Sequence, residues 1–111
     1  MPSEKTHRIT FQRLETVIDD EGVSTSSWTD VRSAWASKES RSGSQKWAAG
    51  GYGATVTELF RINWIPGWEP TPAHRLVHRG KVYDIESVEN VRGENEEYEI
   101  RAVAHMPATG R

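Results

Sequence analysis

The chain carries four histidines, His7, His74, His78 and His105, and two acidic clusters, Asp19-Asp20-Glu21 and Glu94-Asn95-Glu96-Glu97. A metal centre needs three or four such side chains converging on one ion. Only His74 and His78 are close in sequence. Their i, i+4 spacing would align them on a helix, but Pro72 and the alternating pattern that follows specify a strand. In a strand they share a face about 13 Å apart, too far for one ion. The four histidines therefore read as exposed or interfacial. Asp19-Asp20-Glu21-Gly22 lacks the ligand spacing of a calcium loop and reads as a solvated turn. Paired catalytic carboxylates need a concave pocket between them, and nothing in the pattern specifies one. Glu94, Glu96 and Glu97 are retained as a candidate docking loop. With no cysteine, thiolate metal sites, disulfides and cysteine nucleophiles are excluded. No nucleophile–base pair or Gly-rich phosphate loop is present. The expectation is a protein that is not an enzyme, with no catalytic residues, cofactor or metal.

The totals bound the class. A chain of 111 residues is read as a single domain spanning 1–111. It is 35% hydrophobic and 27% charged, so its core is thin and leans on five Trp, three Tyr and two Phe. Net charge is −2 with a pI near 6.1, which lacks the basic excess of a dedicated nucleic-acid surface. The N-terminus, Met-Pro-Ser-Glu-Lys-Thr-His-Arg, has no apolar core for a secretion signal. No stretch approaches the ~18–20 apolar residues of a membrane helix. An aqueous, cytoplasmic setting is expected, without membrane association.

Hydrophobic alternation predicts an all-β chain. His7–Val17 reads as the first strand, with Ile9 and Phe11 on one face. Leu14 breaks the alternation, which a bulge or strand end would restore. After the turn at Asp19–Gly22, Trp28–Ser37 reads as a second strand with apolar residues on both faces. Lys38–Gly53 is rich in Ser and Gly and is predicted to be a long flexible loop. Ala54–Ile65 is the third strand, with Val56, Phe60, Ile62 and Trp64 sharing a face. Pro66-Gly67 ends it, and Pro70 and Pro72 extend the connection. Arg75–His78 and Lys81–Val88 form a tight hairpin on Arg79-Gly80. Tyr98–His105 is the last strand. Residues 1–6 and 106–111 read as loose ends. About six short antiparallel strands indicate a small β-barrel or sandwich with one long loop.

The order His7-Arg8-Ile9-Thr10-Phe11-Gln12, Trp28-Thr29-Asp30-Val31, Trp35-Ala36, Phe60-Arg61-Ile62, Gly80-Lys81-Val82-Tyr83-Asp84-Ile85 and a final strand resembles the phage head–tail joining proteins. These are also called head-closure, stopper or adaptor proteins of long-tailed phages and prophages. The resemblance covers roughly residues 7–105, and its strongest piece is the Gly80–Ile85 hairpin. It implies a structural virion protein of the neck, made in the host bacterial cytoplasm. It would form a homo-oligomeric ring, twelve-fold by resemblance with six-fold as the alternative. The ring would sit between the portal or adaptor protein and the tail terminator or tail tube protein. It would close the channel after packaging, let double-stranded DNA pass without sequence specificity, and offer a docking face to the tail. In relatives the loop between the second and third strands projects inward, which makes Lys38–Gly53 the channel segment. Many relatives have a helix-prone stretch there, whereas Ala48-Ala49-Gly50-Gly51-Tyr52-Gly53 is a poor helix.

Within that loop, Arg41 and Lys46 are the candidate channel cations, and Trp47 and Tyr52 either pack over the barrel's end or contact a neighbouring subunit. Trp28, Trp35 and Trp64 lie in predicted strands and are read as core. Arg8, Arg13, Arg75 and Arg101 alternate with apolar positions and are read as outward-facing. The competing function is a single-stranded nucleic-acid binder on a small barrel, which needs stacking aromatics and a basic groove. A small hydrolase is the third class, without a supporting constellation.

Overall fold

Alternating apolar residues and a bulge shape the first strand, β1 (His7–Ile18). Ile9 and Phe11 point inward and are fully buried. The bulge falls between Phe11 and Gln12, just ahead of the break at Leu14. A computed structural model describes the backbone of residues 4–46 and 52–105, and the side chains of 4–41 and 57–105. The remaining elements are β2 (Ser24–Lys46), β3 (Tyr52–Asn63), β4 (Arg75–His78), β5 (Lys81–Asn90), a 3-10 turn at Val91–Gly93, and β6 (Glu97–Ala104). All pairing is antiparallel, in the order β1-β2-β3-β6-β5-β4, and β4 returns to β1 to close the sheet.

The core is what the inward faces supply. Phe60 and Ile62 of β3, Leu76 of β4, Tyr83 and Ile85 of β5, and Tyr98, Ile100 and Ala102 of β6 join Ile9, Phe11 and Ala36. Phe60 packs edge-on against Tyr83, with centroids 5.5 Å apart. Trp68, from the β3–β4 connection, lies 5.1 Å from Phe11 and covers one end of this core. Tyr98 donates its hydroxyl hydrogen bond to the Trp68 carbonyl at 3.2 Å and holds that plug in place.

Two expectations are corrected. Residues 38–46 and 52–53 of the predicted Lys38–Gly53 loop are strand. Residues 38–46 continue β2, and Tyr52 and Gly53 already belong to β3, in unbroken register from Ala36↔Ile62 to Lys46↔Tyr52. Residues 47–51 lie outside the described residues. Ser and Gly have low strand preference on average, but that preference depends on the partner. Here Thr55, Val56 and Thr57 stand opposite Gly43, Ser42 and Arg41, so three residues of high strand preference pair with the stretch of β2 that has little. Trp35 is not core either. It is 53% exposed, with the Arg8 guanidinium 5.3 Å from its ring centroid. Trp28 and Trp64 are only half-buried.

β1 and β2 are longer than the closed part of the sheet. β1 pairs with β4 only at Thr10–Gln12. Beyond that point Arg13–Ile18 pairs with Ser24–Thr29 alone, a two-stranded ribbon about 20 Å long at ~3.3 Å per residue. At the opposite end β3 pairs with β6 only from Thr57. Tyr52–Val56 therefore pairs with β2 alone and forms a second ribbon. The radius of gyration, 16.4 Å, exceeds the ~13 Å of a compact chain of this length, as two ribbons leaving a small barrel require.

The hairpin turn is as expected. Arg79 and Gly80 have φ of 54° and 78°, the pair of positive angles of a type I′ turn. A Cβ at Gly80 meets nothing within 4 Å, so its cost is backbone strain alone. Gly80→Ala is expected to lower unfolding stability by about 1–2 kcal/mol. Phe60→Ala, which empties the centre of the core, is expected to cost about 3–5 kcal/mol. Urea denaturation of the two variants checks both the values and their order.

Candidate functional site

The up-and-down order sorts the connections between the two ends of the barrel. The β1–β2 turn, the 64–74 connection and the 91–96 loop share one end. The start of β1, the end of β2, the start of β3, the Arg79-Gly80 turn and the end of β6 share the other.

At the second end, the base of the β2–β3 arm meets the start of β1. Ser40 and Glu58 face each other across the pair, and Ser40 Oγ donates to Glu58 Oε1 at 2.6 Å. Lys38 Nζ lies 4.0 Å from the same oxygen. Beside them His7 Nδ1 and His78 Nε2 share a hydrogen bond of 3.1 Å. His78 is 5% exposed and packs edge-on against Phe60. The reading of the histidines as exposed or interfacial is thus corrected for His78, because the β4–β5 hairpin turns its inward face under the β2–β3 arm. His74 precedes β4 and accepts a hydrogen bond from the Thr71 backbone N–H at 3.0 Å. His105 Nδ1 lies 2.9 Å from Asp84 Oδ2. Among the described residues no three metal-ligating side chains converge.

The predicted channel residues are spread along the arm. Arg41 is exposed and pairs with Glu39 at 3.3 Å, so its charge is partly answered within its own strand. Lys46 ends β2 and Tyr52 begins β3, opposite each other in register. Trp47 lies outside the described residues. The predicted docking loop is on the other end. Glu94 pairs with Arg92 at 3.3 Å, and the Glu96 carbonyl accepts from the Trp64 N–H at 2.9 Å. Glu97 accepts from Lys5 Nζ at 2.7 Å. Glu94 and Glu96 are exposed, whereas Glu97 is half-buried, and no second carboxylate joins them around a shared ligand position.

A further surface at this end escaped the sequence reading. The β1–β2 ribbon exposes Leu14, Val17, Ile18 and Val23 at 48–68%. Leu14 and Ile18 lie on one face and Val17 on the other. The tip is held by Asp19, whose Oδ1 accepts from the Glu21 and Val23 N–H groups at 2.9 Å each. The available signal was the apolar triplet Val17, Ile18 and Val23 flanking an acidic turn, where a solvated hairpin end has no use for them. Near the ribbon's base, Trp64, Ile65, Gly67, Trp68, Asn90 and Asn95 line a groove of about 380 Å³, with Glu69 and Tyr98 completing its wall.

Three tryptophans each have one ring face occupied by the protein's own guanidinium. Arg75 lies 4.4 Å from the Trp28 centroid, Arg8 5.3 Å from Trp35, and Arg32 5.4 Å from Trp68. A stacking platform for single-stranded bases needs open faces beside a basic groove, and these stacks occupy one face of each of the three rings with a cation.

A family model for the phage head completion protein matches residues 1–105. The chain belongs to this family. It is a phage virion structural protein by that membership. Several solved chains share its fold, and two illustrate the likeness. One is a chain of the virion of a native gene transfer agent particle, with TM-score 0.70 and 16% identity, covering 96% of this chain and 100% of that one. The other is protein SF1141 from Shigella flexneri 2a, with TM-score 0.62 and 20% identity, covering 92% and 94%. A comparison with curated proteins finds no match. The family result agrees with the head-closure resemblance carried by the His7–Gln12 strand and the Gly80–Ile85 hairpin.

The buried histidine makes stability depend on pH. Burial, then the nearby His7, Lys38 and Arg79, hold the His78 pKa below the usual 6.5, with Glu58 opposing. Burial also lowers that of His74. Below pH ~6.5 the unfolded chain takes up protons that the folded chain refuses. Stability is therefore full above that value and is lost as pH falls toward the lowered folded pKa values. The urea midpoint is expected to drop between about pH 7.5 and 5.5, and His78→Leu to reduce the drop, leaving the part due to His74. A midpoint that rises on acidification contradicts this account.

Proposed function

We propose that this head completion protein is a ring component of the phage neck, mounted between the portal or adaptor protein and the tail proteins. In that place it closes the DNA channel of the filled head and presents the surface on which the tail docks. The family match across residues 1–105 is the observation that carries this reading. The architecture supports it. A small closed sheet with one ribbon at each end offers two separated contact surfaces, as a part clamped between unlike neighbours requires. On this reading the role is structural, without enzymatic activity.

The β2–β3 arm is the candidate channel segment, with Arg41 and Lys46 toward the DNA and Trp47 and Tyr52 toward neighbouring subunits. Arg41 beside Glu39, on a chain of net charge −2, suits a wall that DNA passes rather than one that grips it. Glu94 and Glu96 remain candidates for the tail-side docking loop. The protein would be made in the host cytoplasm and end in the virion.

Deleting the gene from the element that encodes it tests the reading. The expected particles are packaged heads that leak DNA and carry no tails, with neck density missing in electron micrographs. Tailed, DNA-retaining particles without the protein would overturn it. In the same system Arg41→Glu with Lys46→Glu is expected to leave stability within about 0.5 kcal/mol of the parent while raising DNA leakage from filled heads.

A further inference from the structure

The β1–β2 ribbon has three properties that a free hairpin does not keep. It is only two strands wide beyond Gln12, and such a ribbon is marginal in water without cover. It shows apolar side chains on both faces, Leu14 and Ile18 against Val17. Its outer edge, Ser24-Thr25-Ser26-Ser27-Trp28-Thr29, is paired to β1 on one side only and carries no Lys, Pro or bulge of the kind that protects exposed edges. A ribbon apolar on both faces fits between two walls rather than flat on one.

The same end of the same chain carries such a slot. The groove of about 380 Å³ has Trp64, Ile65 and Trp68 in its walls beside the polar Glu69, Asn90 and Asn95. At Trp68 it is edged by Arg32, which lies over the indole ring and has no ion-pair partner among the described residues. The ribbon's tip offers the opposite charge, with Asp20 and Glu21 exposed and Asp19 committed to the turn. Glu69 is the one carboxylate among the groove's lining residues.

We infer that the β1–β2 ribbon of one copy docks into the Trp64–Trp68 groove of the next, with Val17, Ile18 and Val23 inserted and Asp20 and Glu21 facing Arg32. The contact deepens the ring reading and rests on it. Ribbon and groove differ, so the interface is heterologous and passes from copy to copy. Both lie at one end of the barrel, and on the ring reading they meet between neighbours of the same polarity. A ribbon face about 20 Å by 10 Å offers roughly 400 Å² over two faces, half of the ~800 Å² per partner of a stable pair. The free protein is therefore monomeric or weakly associated, and the ring persists only when closed or mounted on its neighbour.

The absence of native cysteine permits a clean test by cross-linking. Ile18→Cys and Glu69→Cys are combined in one full-length chain and treated with a short bis-maleimide at high protein concentration, with micrographs taken in parallel. A ladder of dimer, trimer and higher bands is expected from the double variant and only monomer from either single one. On that background Arg32→Glu is expected to lower ladder yield roughly three-fold, and adding Glu21→Arg to restore it. Dimers from Ile18→Cys alone would mean a symmetric contact and overturn the proposal. So would the absence of a ladder, and rings seen without one would refute this contact while leaving the ring reading intact.

Discussion

Three rungs between β1 and β4, Thr10↔Val77, Phe11↔Leu76 and Gln12↔Arg75, close the sheet. Phe11 and Leu76 meet in the core at this seam, both fully buried. On the outside Gln12 laces it, accepting from Arg75 Nε and donating to Asp30 Oδ1, each at 2.7 Å. Without these rungs β1 and β4 would be open edges, and the interior would be a one-sided face too small to hold a chain of this composition together.

The same seam decides what is left over. The bulge after Phe11 turns β1 away just as its pairing with β4 ends. Everything beyond it must either pair with β2 alone or unravel. At the other end β3 leaves β6 above Thr57 and follows β2 instead. A barrel this small therefore spends much of its chain outside its own core. The Trp68 plug, the Arg–Trp stacks and the His7–His78 pair finish the two ends, and the ribbons continue past them. The described interior holds packed aromatic and aliphatic side chains.

Several of these features were legible in the residues. Ile9 with Phe11 and Phe60 with Ile62 alternate cleanly, so strand identity and inward face followed at once. Arg79-Gly80 between two apolar runs specified its turn. Lys38–Gly53 was misread because Ser and Gly were weighed alone, without the Thr55-Val56-Thr57 strand that pairs with them. Trp35 was misread because size was taken for burial, whereas its indole serves as an outer shelf for Arg8. The groove at Trp64 and Trp68 left no trace, since its walls come from the β3–β4 connection and from the distant β5–β6 segment.

Local pattern is sufficient for what depends on neighbours in the chain: the strands, the turns, the thin aromatic core and the absence of cysteine chemistry. The head-closure resemblance also followed from ordered local motifs. Tertiary structure alone decided which strands outlast their partners, because register between distant segments sets where pairing stops. It alone put His7 beside His78, 71 positions apart, and left Val17, Ile18 and Val23 in water. Exposure is a property of what surrounds a residue, and an aliphatic side chain carries no mark of whether its cover belongs to its own chain or to another.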